Sequence, residues 1–128
     1  MTFINRLLAG LRGNAAVAGS GGSISAERLN AELQTMQLID VREPGEWQAG
    51  HIAGAIHIPL GQLPERIRAI DRERPVAVIC HSGMRSRSAA RILKGHAIDA
   101  ANVSGGMNAW IRSGLPVVTG GGREGSRR

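Results

Sequence analysis

The sequence predicts an α/β fold, a small single domain with a central, mostly parallel sheet and helices on both faces. Three observations indicate this class. The chain has 128 residues, which suits one domain. Short apolar runs alternate along it with amphipathic segments, an order typical of parallel strands joined by right-handed helical crossovers. One of these runs, VAVI at residues 76–79, is continuously apolar, as expected of a strand buried on both faces.

We expect the folded domain to span residues 24–118. Residues 1–23 are predicted to be an amphipathic segment followed by a Gly/Ser linker, AGSGGS, at 18–23. Five apolar residues of that segment share one helical face: Phe3, Ile4, Leu7, Leu8 and Leu11. We expect this face to dock on protein, because one short apolar face usually packs on its own domain or on a partner. Polar residues and glycine interrupt any signal-peptide core, so we expect no secretion and a cytoplasmic protein. Residues 119–128 are glycine-rich and basic, which predicts a disordered tail.

The first half of the domain is predicted to contain two helical segments and two strands. Ser25 is a suitable N-cap for a helix of about nine residues. Residues 38–41, LIDV, form an apolar run that predicts a buried strand. In residues 42–50 a Pro-Gly pair predicts a turn and one helical turn, with Trp47 packed on the core. Residues 51–59 alternate in polarity, which predicts a second strand leading into a loop.

The second half is predicted to alternate in the same way. A stripe of apolar residues predicts a helix over 61–72. A helix after the next strand is expected to stop at Gly95, and a further strand follows at 100–103. Residues 107–112 are expected to form the last helix, anchored by Trp110.

The remaining strand and loop organise the domain. Residues 76–79, VAVI, predict a buried strand that ends at Cys80. Gly83 supplies backbone freedom for a tight loop, and Ser86 or Ser88 is expected to cap the helix that follows. In parallel sheets, ligands bind outside the carboxyl ends of the strands, and the cysteine is predicted to lie at such an end.

The candidate chemistry centres on this cysteine. A helix start presents free N–H groups and positive potential, which lower the pKa of a nearby thiol, and Arg85 and Arg87 act in the same direction. The strand, loop and helix therefore predict a cradle that activates Cys80 and holds an anion against it. A lone cysteine cannot form an intramolecular disulfide, and no Cys/His cluster has metal-ligand spacing. We expect neither a metal nor an organic cofactor.

Net charge and aromatic content limit the classes of partner. The formal charge is +6, with 16 basic residues against 10 acidic ones. This excess favours anionic partners, although a solvated arginine-rich surface explains most of it. The chain has no Tyr, one Phe and two Trp, and so lacks the aromatic platforms of single-stranded nucleic-acid binders. We expect no nucleic-acid partner and no stable membrane insertion.

Three further polar residues are better explained by structure than by catalysis. Asp40 lies near the end of a buried strand, where a carboxylate that orients a loop is more common than a catalytic one. His51 and His57 have no carboxylate or cysteine at diagnostic spacing. We expect both histidines to be hydrogen-bonded structural residues.

Several motifs together resemble a single-domain rhodanese of the sulfurtransferase family, over residues 24–118. In chain order the matching motifs are Leu38-Ile39-Asp40-Val41-Arg42-Glu43, Glu46-x-x-x-Gly50-His51-Ile52-x-Gly54-Ala55, Ile58-Pro59, Cys80 with its loop, and Gly105-Gly106-Met107-x-Ala109-Trp110. The likeness covers both ends and the centre of the predicted domain.

The resemblance implies that Cys80 accepts a sulfane sulfur from thiosulfate or a persulfide donor and passes it to cyanide or a thiol, with a sulfur-carrier protein as an alternative partner. It implies that Arg85 meets the anionic oxygens of the donor and that Asp40 and Arg42 support the site. It also assigns an anion-binding loop, made of His81, Ser82, Gly83, Met84, Arg85 and Ser86.

Two other functions remain open at this point. Cysteine-dependent phosphatases and arsenate reductases of related fold place five residues between cysteine and arginine, whereas four separate Cys80 from Arg85 here. Ser86 stands where the phosphatase arginine would fall, and Arg87 lies one residue beyond. A non-catalytic binding or regulatory module is the second alternative. The presence of Cys80 with Gly83 and Arg85 favours an enzyme over that module.

Overall fold

The structure, a computed structural model, describes residues 22–120, and within them five strands alternate with helices. In chain order the elements are β1 (Ser23–Ile24), α1 (Ala26–Glu32), β2 (Gln37–Asp40), α2 (Pro44–Ala49), β3 (Ile56–His57), a 3₁₀-helix (Leu60–Ala69), β4 (Val76–Ile79), α3 (Met84–Gly95), β5 (Ala100–Val103) and α4 (Gly106–Arg112). The strands form one sheet in the order β1-β5-β4-β2-β3, and every pairing is parallel. The predicted α/β class is confirmed.

The sheet is covered on both faces, because every residue of β2, β4 and β5 is buried. On one face α1, α2 and α4 contribute Leu29, Trp47 and Trp110 to the core. On the other face the 3₁₀-helix and α3 contribute Leu63 and Leu93. Since β4 lies in the middle of the sheet, the residue after it emerges at the centre of the carboxyl edge, where parallel sheets bind ligands.

The N-terminal end of the domain was predicted in part. The Ser25 side-chain oxygen accepts a hydrogen bond from the Arg28 N–H at 3.0 Å, so Ser25 caps α1 as predicted. The strand β1, which pairs with β5 at the edge of the sheet, was not predicted. The predicted amphipathic segment, most of the linker and most of the tail lie outside the described residues. In the described part, no helix combines the length and apolar character needed to cross a membrane.

The prediction of one strand over residues 51–59 is wrong in its extent. Only Ile56–His57 pairs with β2. A turn at residues 53–54 interrupts the run, and His51 instead makes an antiparallel bridge with Val118. Alternating polarity therefore reflected two separate short segments rather than one continuous strand.

The predicted helix over residues 61–72 is shorter and tighter than expected. It is a 3₁₀-helix over Leu60–Ala69, and its backbone leaves the helical region at Arg66. Pro64 lies inside it. Proline has no N–H to donate and its ring clashes with the preceding turn, which opposes a regular α-helix here.

The predicted N-cap of the helix after Cys80 is also wrong. Neither Ser86 nor Ser88 is the N-cap, because α3 begins directly after Gly83, whose φ of 112° places it in the left-handed region. Ser86 therefore lies within the first turn of α3. At the other end α3 stops at Gly95, as predicted, and the left-handed conformation falls on Ala97, with φ of 63°.

Candidate active site

The candidate site is the loop that joins β4 to α3. Cys80 is the first residue after β4, and its residue surface is only 1% exposed. Its sulfur accepts a hydrogen bond from the Gly83 N–H at 3.0 Å, and the Ser86 hydroxyl oxygen lies 3.5 Å from it. The left-handed conformation of Gly83 turns the loop back over the sulfur, a geometry that other residues adopt only with strain.

The pKa of the Cys80 thiol lies below its ordinary value. Burial is the largest influence and acts in the opposite direction, since a thiolate removed from water loses hydration. Hydrogen bonds to the sulfur outweigh burial, first from the Ser86 hydroxyl and then from the backbone N–H groups of Ser86, Gly83 and Ser82. The loop therefore favours the ionised, nucleophilic form of the sulfur.

Ser86 connects the sulfur to a residue that the sequence did not single out. Its hydroxyl contacts the Cys80 sulfur, the Gly83 carbonyl oxygen at 3.2 Å and the side-chain oxygen of Asn102. A hydroxyl carries one proton and can donate to only one of these acceptors at a time. Asn102 is buried on β5, opposite Val78 of β4. A polar residue in a predicted buried strand was the signal that could have identified it.

The first residue of α4 brings that helix against the loop. Gly106 has φ of 57°, and a Cβ atom there would lie 2.3 Å from the carbonyl oxygen of Cys80. This close approach lets the Met107 N–H donate to the Cys80 carbonyl at 2.8 Å, and the Asn108 N–H donate to the His81 carbonyl at 3.1 Å. The start of α4 thus fixes the backbone of Cys80 and His81.

Arg85, the predicted ligand of donor oxygens, is held by Glu46 of α2. Two parallel hydrogen bonds join the guanidinium and the carboxylate, at 2.8 and 2.9 Å. Hydrogen bonding to Arg85 lowers the pKa of Glu46 to about 2, and the same contact raises the pKa of Arg85. Glu46 belongs to one of the motifs of the resemblance but was not predicted to take part in the site. The two residues are 39 positions apart, so only the fold brings them together.

Asp40 and Arg42 form a buried ion pair at the end of β2. The Arg42 Nε and Nη2 atoms donate to the two carboxylate oxygens of Asp40 at 2.9 and 2.8 Å. Arg42 Nη2 also donates to the Gly50 carbonyl at 2.7 Å. The pair therefore ties the end of β2 to the end of α2, the helix that carries Glu46. Its influence on activity stays a prediction.

The two histidines that were predicted to be structural, His51 and His57, stack on Trp47. Its ring centroid lies 3.6 Å from that of His51 and 4.7 Å from that of His57. His51 Nδ1 is 2.7 Å from the Trp47 carbonyl oxygen, and His57 Nε2 is 2.7 Å from the Arg42 carbonyl oxygen. A ring nitrogen facing a carbonyl must carry the proton and donate. Both histidines are hydrogen-bonded as predicted.

A groove of about 290 Å³ adjoins the loop. Its wall combines apolar and polar side chains from α2, the loop and α4: Arg42, Glu46, Ala49, Gly50, His81, Met107, Asn108 and Ile111. Ile111 is 57% exposed, which is unusual for a large apolar side chain. His81 follows Cys80 directly, so the groove opens beside the reactive loop.

The arrangement suits nucleophilic chemistry at sulfur. It supplies a thiol with a lowered pKa, N–H donors around the sulfur and the guanidinium of Arg85 close by. Between residues 22 and 120, no group of three or more His, Cys, Asp or Glu side chains is placed to hold a metal ion.

Comparisons with known proteins agree on one family. A family model described as the rhodanese-like domain matches residues 25–113. YqhL of Bacillus subtilis, an uncharacterised protein, is 40% identical over 89 residues, which are 69% of this chain and 71% of that one. A protein of Allochromatium vinosum named sulfurtransferase is 36% identical over 89 residues, which are 69% of this chain and 83% of that one. The crystal structure of a rhodanese-related protein from Thermoplasma volcanium has a TM-score of 0.73 at 38% identity, covering 76% of this chain and 97% of that one.

Proposed function

The chain belongs to the rhodanese-like domain family, and on that basis we propose that it is a sulfurtransferase working through a persulfide on Cys80. The observation that supports this most strongly is the Cys80 sulfur surrounded by hydrogen-bond donors of its own loop, with a lowered thiol pKa. The proposed donors are thiosulfate or a persulfide, and the proposed acceptors are cyanide, a thiol or a sulfur-carrier protein. We place the reaction in the cytoplasm, where free thiols stay reduced.

In the first step the Cys80 thiolate attacks the outer sulfur of the donor. A new S–S bond forms to Cys80 and the old bond to the outer sulfur breaks, with its electron pair leaving on sulfite or on a thiolate. The lowered pKa increases the fraction of the attacking sulfur that is ionised. The loop N–H groups that stabilise the thiolate are in position to stabilise a persulfide anion too.

In the second step the acceptor attacks the outer sulfur of the persulfide. The S–S bond to Cys80 breaks, and the electron pair returns to the Cys80 sulfur. A thiol with a low pKa is a good leaving group, so the hydrogen bonds that favour the first step favour the second as well. Neither step requires a proton to pass through His51 or His57.

The loop favours this chemistry over phosphate transfer. Only four residues separate Cys80 from Arg85, and α3 begins inside that interval. The loop closes on the sulfur itself, since the Gly83 N–H reaches it at 3.0 Å. A tetrahedral phosphate would need the longer loop of the phosphatases, so we rank phosphatase activity below sulfur transfer.

Replacing Cys80 with serine tests the proposal. Cys80→Ser should abolish thiocyanate formation from thiosulfate and cyanide, because a serine hydroxyl cannot carry the sulfur, while circular dichroism shows an intact fold. Ser88→Ala, a change on the helix α3 that follows the loop, should retain the activity. Equal rates of thiocyanate formation in wild type and Cys80→Ser would refute the proposal.

A further inference from the structure

We propose that Glu46 sets the donor specificity of this site: it holds Arg85 away from small oxyanions, so that the protein favours an organic persulfide over thiosulfate. The inference rests on the proposed sulfurtransferase function and goes beyond it, because it assigns a donor class and a residue that selects it. Glu46 acts here as a positioning residue for Arg85.

The Glu46–Arg85 pair limits the binding of oxyanions to Arg85. Both carboxylate oxygens of Glu46 accept from the terminal nitrogens of Arg85, at 2.8 and 2.9 Å. This bidentate arrangement occupies the guanidinium edge formed by the two terminal nitrogens, an edge on which an oxyanion can bind with two parallel hydrogen bonds. A sulfonate group must displace the carboxylate to bind at that edge. The carboxylate also cancels the positive charge that would attract a dianion.

The carboxylate of Glu46 is fixed in place and stays charged. Its Oε1 atom accepts from the Glu43 N–H at 2.9 Å, in the capping box that begins α2. The neighbouring Trp47 is fully buried and anchors the same helix. With a pKa of about 2, the Glu46 carboxylate remains ionised throughout the pH range of a thiol enzyme. Mild acid consequently does not release Arg85.

The groove beside the loop has room for an organic group. Glu46 lines the 290 Å³ groove, and Met107 and Ile111 give that groove an apolar side. Such a combination of apolar wall and a few polar groups is typical of small-molecule sites. Thiosulfate has no organic part that could occupy the groove. An organic persulfide has such a part, and this part needs no guanidinium to bind.

The transfer from an organic persulfide R–S–SH balances without another reactant. The Cys80 thiolate attacks the outer sulfur, the bond between the two donor sulfurs breaks, and RS⁻ leaves with the electron pair. The proton moves with the transferred sulfur, giving a persulfide on Cys80 and the thiolate RS⁻. No sulfonate charge develops on the leaving group, so Arg85 can stay paired with Glu46 during this step.

Glu46→Gln tests the inference with little disturbance of α2, because glutamine keeps the capping oxygen and loses the charge. We expect the KM for thiosulfate to fall roughly two- to fivefold, the range of a solvent-accessible ion pair. The kinetics with glutathione persulfide should stay within experimental error. An unchanged KM for thiosulfate would overturn the proposal, since Arg85 would then not be restrained by Glu46.

Two controls separate the release of Arg85 from a general change in charge. Glu43→Gln removes one negative charge at the start of the same helix without freeing Arg85, and should leave the thiosulfate KM near the wild-type value. In an Arg85→Ala background, Glu46→Gln should no longer lower the KM. An equal fall with Glu43→Gln, or a fall that persists without Arg85, would contradict the assigned role.

Ile111→Ser tests the groove separately. The side chain is exposed, so we expect an intact fold, a higher KM for glutathione persulfide and an unchanged KM for thiosulfate. Equal KM values for glutathione persulfide in wild type and variant would refute the assignment of the groove.

If neither donor transfers sulfur to Cys80, the proposed function fails and this inference fails with it. If transfer occurs but Glu46→Gln changes nothing, only the inference fails.

Discussion

Cys80 owes its lowered pKa to hydrogen bonds that outweigh desolvation. Burial alone would raise the pKa of this thiol, and a deeply buried cysteine without partners is inert. The Ser86 hydroxyl is the largest of the groups that lower it. Reactivity at this site therefore depends on one rotatable hydroxyl, which Gly83 and Asn102 can also engage.

Ser86→Ala should raise the pKa of the Cys80 thiol. Loss of a hydrogen bond to a charged group should slow iodoacetamide alkylation roughly tenfold near neutral pH. The sign follows from the thiolate being the reactive form: a higher pKa moves the rise of alkylation rate to higher pH. The measurement is the alkylation rate against pH for wild type, Ser86→Ala and Ser88→Ala.

Ser88 lies on the same helix and its hydroxyl meets Arg91 instead, so its alanine variant should follow the wild-type profile. Superimposable profiles for all three proteins would contradict the account of Ser86. They would mean that its proton goes to the Gly83 carbonyl or to Asn102 rather than to the sulfur.

Among the elements, the junction of α4 with the loop is the most sensitive to substitution. Gly106→Ala adds a Cβ atom 2.3 Å from the Cys80 carbonyl oxygen at a backbone angle that disfavours alanine. We expect the free energy of unfolding to fall by roughly 2–4 kcal/mol, with slower alkylation of Cys80 because the loop moves. Urea unfolding followed by tryptophan fluorescence measures the first effect, and alkylation of the folded protein measures the second.

Gly114→Ala is the matched control for backbone strain. Gly114 also has a positive φ, of 77°, but nothing lies within 4 Å of its Cβ position. Its alanine variant should lose roughly 1–2 kcal/mol from strain alone and keep the reactivity of Cys80. A Gly106→Ala protein that matched Gly114→Ala in stability and in alkylation would show that the close approach to the loop is unimportant.

For the molecule as a whole, the sequence predicted the centre of the sheet better than its edges. The runs at residues 38–41, 76–79 and 100–103 are apolar except for Asp40 and Asn102, because the corresponding strands are buried on both faces. The edge strands β1 and β3 are two residues long, too short for any periodicity to reveal. For this reason β1 was not predicted, and the strand predicted at β3 was too long.

In the candidate site, the local features were predicted from the sequence and the contacts between distant residues were not. Cys80 and its loop are contiguous in sequence, so a local motif identified them. Glu46 lies 39 positions from Arg85, and Asn102 lies 16 positions from Ser86. Contacts of this kind exist only once parallel strands bring distant segments to the same edge of the sheet, and no local pattern encodes them.

The central claim is that Cys80 carries the transferred sulfur, and intact-mass spectrometry tests it most directly, because the chain has a single cysteine. After exposure of the reduced protein to thiosulfate or glutathione persulfide, we predict the mass of one added sulfur. Cyanide should remove that sulfur, and Cys80→Ser should never gain it. A wild-type mass unchanged by both donors, or the same gain in Cys80→Ser, would contradict the account.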